Sequence, residues 1–369
     1  MKKIKILFLI NTLGGGGAEK ALVNLVNNLD TDKYEITVET MFGDGVNANR
    51  LNSSINYISK SAPCPKGISV ILKFIPSKTL YRYFVGNAEY DLIAAYMHGV
   101  PVKVISANKT VKKIAWLHNG NPESSTMFTP WLSKKRAIES YTSCDAVIGV
   151  SKSVSQAFSD FTGIKNNVRV AYNTLETDLI CELANEKADV EFDETVINIV
   201  STGRLGKEKG YSRLLDVCRL LKDDGYEFRL YLIGTGSEED NLKSKTTELG
   251  LTENIVFLGF QENPYKYMNR CDIFVCSSFT EGLSTATIEA LVLGKAIVST
   301  DVSGAYEIIG DNEYGIIVEN SDKGLYNGLK SLLSDTTLLD EYKTKAFSRK
   351  EYFSVQNTVS EVERIIDSV

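Results

Sequence analysis

Histidine is scarce, with two residues in 369, and the six cysteines (Cys64, Cys144, Cys181, Cys218, Cys271 and Cys276) include no CxxC pair. That combination argues against a structural zinc site and a disulfide framework, and leaves the cysteines mostly as buried thiols. No apolar run reaches the roughly 20 residues a bilayer-spanning helix needs. MKKIKILFLIN at the N-terminus reads as a first strand rather than a cleavable signal, so a cytoplasmic protein is expected. Internal repeats and low-complexity tracts are absent.

What is present is a chain too long for one ordinary core and about right for two, with the 43% hydrophobic and 24% charged residues of a soluble globular protein. Its net charge of −6 conceals an asymmetry. Between Lys60 and Arg136, twelve Lys or Arg face three acids, so this stretch carries +9 and the remainder −15. Separation of that kind concerns partners rather than fold.

Short apolar runs alternate with helical patterns in both halves, from KIKILFLIN, YEITVET and DLIAAY through KIAWLH, AVIGV and VRVAY to VINIVSTG, FRLYLIG, NIVFLGF, DIFVCSS, AIVST and YGIIVE. Runs of that length separated by helices predict parallel sheets covered on both faces. The expected fold is α/β, with two doubly wound, Rossmann-like domains at 1–175 and 196–352. The acidic stretch 176–195, poor in strand pattern, reads as the linker. A final helical segment, 353–369, has no strand after it and is expected to pack back on the first domain.

Ligands of open α/β sheets gather beyond the carboxyl ends of the strands, and four such loops carry unusual chemistry. In LINTLGGGGAEK, Gly14 to Gly17 let a ligand approach the backbone where a helix begins. A dinucleotide is the first candidate, but the GxGxxG spacing fails, because a frame from Gly14 ends on Glu19 and one from Gly15 on Lys20. Glu39 could imitate the acidic ribose ligand of that fingerprint only by chance. STGRLGKEKG delivers Arg204 and Lys209 at a strand end, a planar fork and a point charge suited to phosphate, with Lys207 and Glu208 facing solvent. LIGTG places Gly234 in a third strand-to-helix turn. In CSSFTEGLSTATIEA, Gly282, Leu283 and Ser284 open a helix and offer backbone N–H groups to a diphosphate. Glu281 and Glu289 flank them as acceptors for hydroxyls.

In order along the chain, GGGAE (15–19), GRLGKEKG (203–210), LIGTG (232–236), VFLGF (256–260) and EGLSTATIEA (281–290) resemble the motifs of the retaining glycosyltransferases of family four. That family has GT-B architecture, two Rossmann-like domains facing a cleft. The resemblance covers essentially the whole chain and is most specific over 198–310. It implies a nucleotide-sugar donor whose diphosphate is held by Arg204 and Lys209 and by the backbone of Gly282, Leu283 and Ser284. Glu289 would take the ribose hydroxyls, Glu281 the transferred sugar, and Gly16 and Gly17 would reach the donor from the first domain. The base would rest near Phe260, with Gly234 among the donor contacts. His118, at a first-domain strand end, would point at the reacting sugar, and His98 is a candidate acceptor contact. The resemblance further implies retention of configuration with no settled enzymic nucleophile, and no required metal or other cofactor. The DxD match Asp30-Thr31-Asp32 falls between a helix and the second strand and reads as a solvated turn.

The first domain would bind the acceptor. KGISVILKFIPSKTLYRYF (66–84) interleaves Lys66, Lys73, Lys78 and Arg82 with apolar residues, which suits an anionic bilayer, although Pro76 interrupts it. A lipid-linked or oligosaccharide acceptor at the inner face of a bacterial membrane, in polysaccharide biosynthesis, is therefore expected, and no nucleic acid. Two other readings share the fold: a nucleotide-sugar epimerase or phosphorylase, and an inactive partner protein. Arg204, Lys209, Glu281 and Glu289 together speak against the latter, since a binding module has no evident need for all four.

Overall fold

The computed structural model describes residues 2–60, 68–123 and 126–369. They form two α/β units, Met1–Leu175 with Val355–Val369, and Glu176–Ser354.

The first unit holds β1 (Ile4–Ile10), β2 (Tyr34–Thr40), β3 (Asn56–Ser59), β4 (Leu92–Ala95), β5 (Lys112–Leu117), β6 (Ala146–Gly149) and β7 (Val168–Val170). They form one parallel sheet in the order β3-β2-β1-β4-β5-β6-β7. The second unit holds β8 (Ile197–Thr202), β9 (Phe228–Ile233), β10 (Ile255–Gly259), β11 (Ile273–Cys276), β12 (Ala296–Thr300) and β13 (Ile316–Val318), again all parallel, ordered β10-β9-β8-β11-β12-β13. Every apolar run of the sequence became a strand, because a sheet covered on both faces needs side chains that can be buried either way. Ile6 to Ile10 are fully buried. The doubly wound α/β fold is thus as expected. β3 escaped notice because Asn56-Tyr57-Ile58-Ser59 is a short, half-exposed edge strand with no apolar run.

The linker expected over 176–195 needs correction. Thr177–Leu183 is a helix of the second unit that contacts the helices Tyr265–Met268 and Thr285–Val292. Ile180 and Ala184 supply its buried side. Farther along, Asn263 Nδ2 donates to Leu183 O at 2.9 Å, and Tyr267 donates its hydroxyl to Asp189. Acidic composition concealed this short one-sided apolar pattern. The second unit also runs on to Ser354, beyond the expected 352. The helix Val355–Ser368 belongs to the first unit and lies against the helix Gly17–Asn28. Lys33 Nζ reaches Asp367 at 2.6 Å there, and the Asp30 N–H donates to Glu363 at 3.1 Å. The DxD triplet sits in this turn, at the amino edge of the sheet, where the Asp32 N–H donates to Asp30 Oδ1.

Two buried charges stand out in the first unit. Lys103, 4% exposed, donates to Leu72 O, Lys73 O and Pro130 O at 2.8, 3.1 and 2.9 Å, tying the helix Ile68–Leu72 to the loop before Leu132. Glu39 on β2 is 1% exposed, beside Leu9 and Ile58 in register, and its Oε1 has no hydrogen-bond partner.

Candidate functional site

In each sheet the strand order reverses beside the first strand, and loops leaving the carboxyl ends diverge there to leave a crevice. In the second unit this switch point lies between β8 and β11. The loops that follow those two strands carry Lys209 and Glu281.

Lys209 ends a short 3-10 turn, Lys207–Lys209, and Gly210 then takes a left-handed conformation with φ of 67°. Glycine is required for a second reason, since a Cβ there would lie 2.1 Å from Ser277 O. The two loops can therefore touch. Lys209 Nζ donates to Glu281 Oε1 at 2.7 Å, and Ser278 Oγ donates to the same oxygen at 2.6 Å. Both side chains are largely covered, 23% exposed for Lys209 and 12% for Glu281. Burial acts to lower the Lys209 pKa, but the Glu281 carboxylate outweighs it by charge and hydrogen bond, and the net shift is upward. The ammonium therefore stays charged. A small recess lies over the pair, lined also by Thr202, Tyr211, Ser277 and Ser284.

Ser284 caps the helix Thr285–Val292, its Oγ accepting from the Thr287 N–H at 3.3 Å. A positive helix end, an ammonium and a carboxylate thus meet in one recess, an arrangement able to hold an anion beside a group that accepts from hydroxyls.

Not every expected residue enters it. Arg204 is 75% exposed, and its guanidinium bonds Glu208 Oε1 at 2.6 Å. Glu208, expected to face solvent, is instead this partner, and its pKa is lowered: burial opposes the shift, but a backbone hydrogen bond and Arg204 outweigh it. An exposed ion pair is worth about 0–1 kcal/mol, so an incoming anion can take Arg204 from Glu208 at little cost. Glu289 is 5% exposed, does not line the recess, and accepts from the Tyr265 hydroxyl at 2.9 Å. Phe260 stands 59% exposed after the edge strand β10. Gly234 has φ of 132°, and a Cβ there would lie 2.1 Å from Gly203 O, so this glycine lets the β9 loop press on the β8 loop.

In the first unit the switch point lies between β1 and β4. Gly14 to Gly17 follow β1, none with positive φ. What a side chain at Gly16 would meet is the carboxylate of Glu19, 2.3 Å from the Cβ position. His98 and His118 stand in the loops after β4 and β5. The His118 Nε2 lies 2.9 Å from Tyr96 O. A carbonyl only accepts, so Nε2 is the N–H and a neutral ring keeps Nδ1 as acceptor. Burial pushes the His118 pKa down to about 3 and that of His98 to about 4. Both rings are neutral at ordinary pH. His98 Nδ1 is buried without a partner.

Ser278, Tyr211, Glu208 and Tyr265 were missed by sequence reasoning. Serine and tyrosine are too common at strand ends for position alone to single them out, and only proximity reveals their partners.

Residues 15–179 match the family model described as Glycosyltransferase Family 4, and residues 184–349 that described as Glycosyl transferases group 1. A Campylobacter jejuni protein named N-acetylgalactosamine-N,N'-diacetylbacillosaminyl-diphospho-undecaprenol 4-alpha-N-acetylgalactosaminyltransferase is 30% identical over 368 residues, covering 96% of each chain. A second C. jejuni protein, named as an alpha-1,4-N-acetyl-D-galactosaminyltransferase acting on GalNAc-alpha-(1->4)-GalNAc-alpha-(1->3)-diNAcBac-PP-undecaprenol, is 24% identical, covering 99% of each. Among solved structures, Anabaena HepE in complex with UDP-glucose has a TM-score of 0.77 at 21% identity, covering 99% of this chain and 100% of that one. Sucrose-phosphate synthase from Thermosynechococcus elongatus has a TM-score of 0.79 at 15% identity, covering 99% and 98%. At those identities the likeness shows the GT-B fold. With both halves matched in order and a relative of nearly equal length at 30% identity, the chain belongs to glycosyltransferase family 4.

Proposed function

We propose that this protein moves a hexose-type sugar from a nucleoside-diphosphate sugar to a lipid-linked glycan, with retention of configuration and without a metal ion, in assembly of a bacterial polysaccharide. The observation that carries the reading is the largely covered Lys209–Glu281 pair at the start of a capped helix. The ammonium, the helix end and Arg204 would take the diphosphate, Glu281 the sugar and Glu289 the ribose. Phe260, Gly234, Gly16, Gly17 and His118 are assigned to the donor on the family resemblance. In the reaction the bond between the anomeric carbon and the diphosphate oxygen breaks. The acceptor oxygen bonds to that carbon on the same face, and its proton passes to the departing diphosphate. Stabilising charge on that leaving group and positioning the acceptor are then the main contributions of the protein. The names of the C. jejuni relatives, both specifying diphospho-undecaprenol-linked acceptors, support the acceptor class, and the UDP-glucose complex of HepE supports the donor class.

A thermal-shift panel of UDP, GDP, ADP and CMP sugars tests the donor, because a ligand that binds only the native state raises its melting temperature. One nucleotide class is expected to raise it. Product analysis should then show a sugar on the acceptor with the same anomeric configuration as in the donor, formed equally well in excess EDTA. Free sugar or an isomerised donor, formed without acceptor, would point to an epimerase or phosphorylase instead. Loss of transfer on chelation would remove the metal-independent part of the reading.

The acceptor side rests on the first unit. Among the described residues no helix is long and apolar enough to cross a membrane. Pro76 divides the basic segment into the helices Ile68–Leu72 and Ser77–Phe84, in which Ile71 and Tyr83 are each 60% exposed, and Phe74 in the turn between them is 69% exposed. Lys66 lies outside the described residues. The Lys103 bridge sets the loop of Leu132, 56% exposed, and the exposed Lys134, Lys135 and Arg136 beside this segment. Apolar side chains ringed by cations suit peripheral attachment to an anionic leaflet, where each cation adds about 1 kcal/mol. Vesicles containing anionic lipid are expected to bind the protein at least about tenfold better than neutral ones, with the difference shrinking as salt rises. The double substitution Ile71→Ser and Phe74→Ser should remove most of that binding. Equal binding to neutral and anionic vesicles at every salt concentration would overturn the assignment.

A further inference from the structure

We propose that Arg213 is a positioning residue for the transfer reaction, its buried guanidinium clamping the Ser277 and Ser278 carbonyls so that Glu281 is held to its task. The proposal rests on the reading of the Lys209–Glu281 recess given above.

Arg213 lies in the first turn of the helix Tyr211–Asp223 and is 6% exposed, with the Asp322 carboxylate acting on its charge. A guanidinium in such a place is costly unless its donors are satisfied. Two of its three nitrogens are held by backbone carbonyls: Nε donates to Ser277 O at 2.9 Å, and Nη2 to Ser277 O at 2.5 Å and Ser278 O at 2.8 Å. The Phe279 ring stacks on the guanidinium at 4.0 Å while remaining 55% exposed. Three consecutive residues of the loop between β11 and Glu281 are therefore gripped by one side chain.

Those residues are the ones that orient the reactive pair. Ser278 Oγ donates to Glu281 Oε1, and Ser277 Oγ donates to Lys209 O at 2.8 Å. A leucine at 213 would fill much of the same core space but leave Ser277 O without these donors. Ser278 O would keep a second bond from Thr300 Oγ1 at 2.7 Å. The start of the helix Thr285–Val292 is held separately, by the Ser284 cap and by the fully buried Ile288. Lys209 would at most lose the Ser277 Oγ bond to its carbonyl while its own N–H stays bonded to Gly206 O at 3.1 Å, so the clamp acts mainly on Glu281 and leaves the anion site in place. This separation predicts which measurable quantity moves.

The test compares Arg213→Gln and Arg213→Lys with the wild-type full chain. It uses kcat with the nucleotide sugar, the Kd of the matching nucleoside diphosphate, and amide hydrogen exchange. In Arg213→Gln, kcat is expected to fall about thirtyfold or more, since small displacements of a positioned group cost that much. The Kd of the nucleoside diphosphate should stay within about threefold, and exchange over residues 277–281 should rise about tenfold while that of 285–292 does not. Arg213→Lys, able to reach one carbonyl, should recover part of both losses. Unchanged kcat with unchanged exchange would overturn the proposal. So would parallel loss of turnover and diphosphate binding, which would make Arg213 a general support. If the wild type binds no nucleoside diphosphate, the proposed function fails, while loop exchange still reports on the clamp.

Discussion

Replacing Glu281 and replacing Lys209 are expected to abolish transfer alike and to change nucleotide binding in opposite directions. In the unliganded protein the ammonium is bonded at 2.7 Å to the carboxylate, so an arriving diphosphate competes with Glu281 for it. At an effective dielectric of about 20, two unit charges about 4 Å apart interact by roughly 4 kcal/mol. Much of that is offset by desolvation, but it exceeds the roughly 1.4 kcal/mol that separates tenfold changes in affinity. In Lys209→Ala the diphosphate loses a charge-assisted bond, and the Kd of the nucleoside diphosphate should rise about a hundredfold. In Glu281→Ala the competing carboxylate is gone, and the same Kd should fall about tenfold. Turnover should drop by about a thousandfold in each, since one variant loses charge stabilisation and the other its contact with the reacting sugar. Both variants should remain folded, because neither side chain of the pair is fully covered, with 23% of Lys209 and 12% of Glu281 already exposed. Calorimetry with the nucleoside diphosphate, beside a transfer assay, decides the matter. Near-normal turnover in either variant would take that residue out of the mechanism, and weakened diphosphate binding in Glu281→Ala would show that the carboxylate supports the anion site instead of opposing it.

Glu39→Gln is expected to stabilise the first unit at pH 8 by about 2–3 kcal/mol and to do little at pH 5. Burial without a partner for Oε1 pushes the Glu39 carboxyl up to about 7, with Lys60 pulling weakly the other way. The folded pKa thus lies above the unfolded one, so the folded state holds its proton more tightly. Its contribution to stability is intact below the unfolded value near 4.5 and is lost as pH rises through about 7. Glutamine keeps the shape and cannot ionise. For a unit of this size the gain corresponds to roughly 5–10 °C in melting temperature. The measurement is the unfolding transition of each protein at pH 5 and pH 8. A variant that melts lower at pH 8, or a difference that does not change with pH, would show that the carboxylate is accommodated in its charged form.

Glu39 also illustrates how far sequence patterns reach. The alternation of YEITVET places residue 39 on a strand, and its separation from Gly17 gives it a superficial likeness to a ribose ligand. Whether it lies at the strand end or inside the layer depends on what covers that face, which the strand itself does not encode. In the same way, Arg204 and Lys209 sit five residues apart in one loop and look equivalent as cations. One proves 75% exposed and the other largely covered, because the left-handed turn at Gly210 carries the second toward Ser277.

The chain's linear pattern was enough to determine every described strand except β3, the doubly wound class, the helix start at Ser284 and the motif order that places it in its family. Each of these depends on neighbours a few residues away, where periodicity and capping operate. Tertiary structure alone decided that Lys209 meets Glu281 across 72 residues, that Arg213 grips the carbonyls of Ser277 and Ser278, and that 176–195 folds onto the second unit. Those contacts follow from strand order, which brings the ends of β8 and β11 side by side, and no local preference specifies which strand ends will be neighbours.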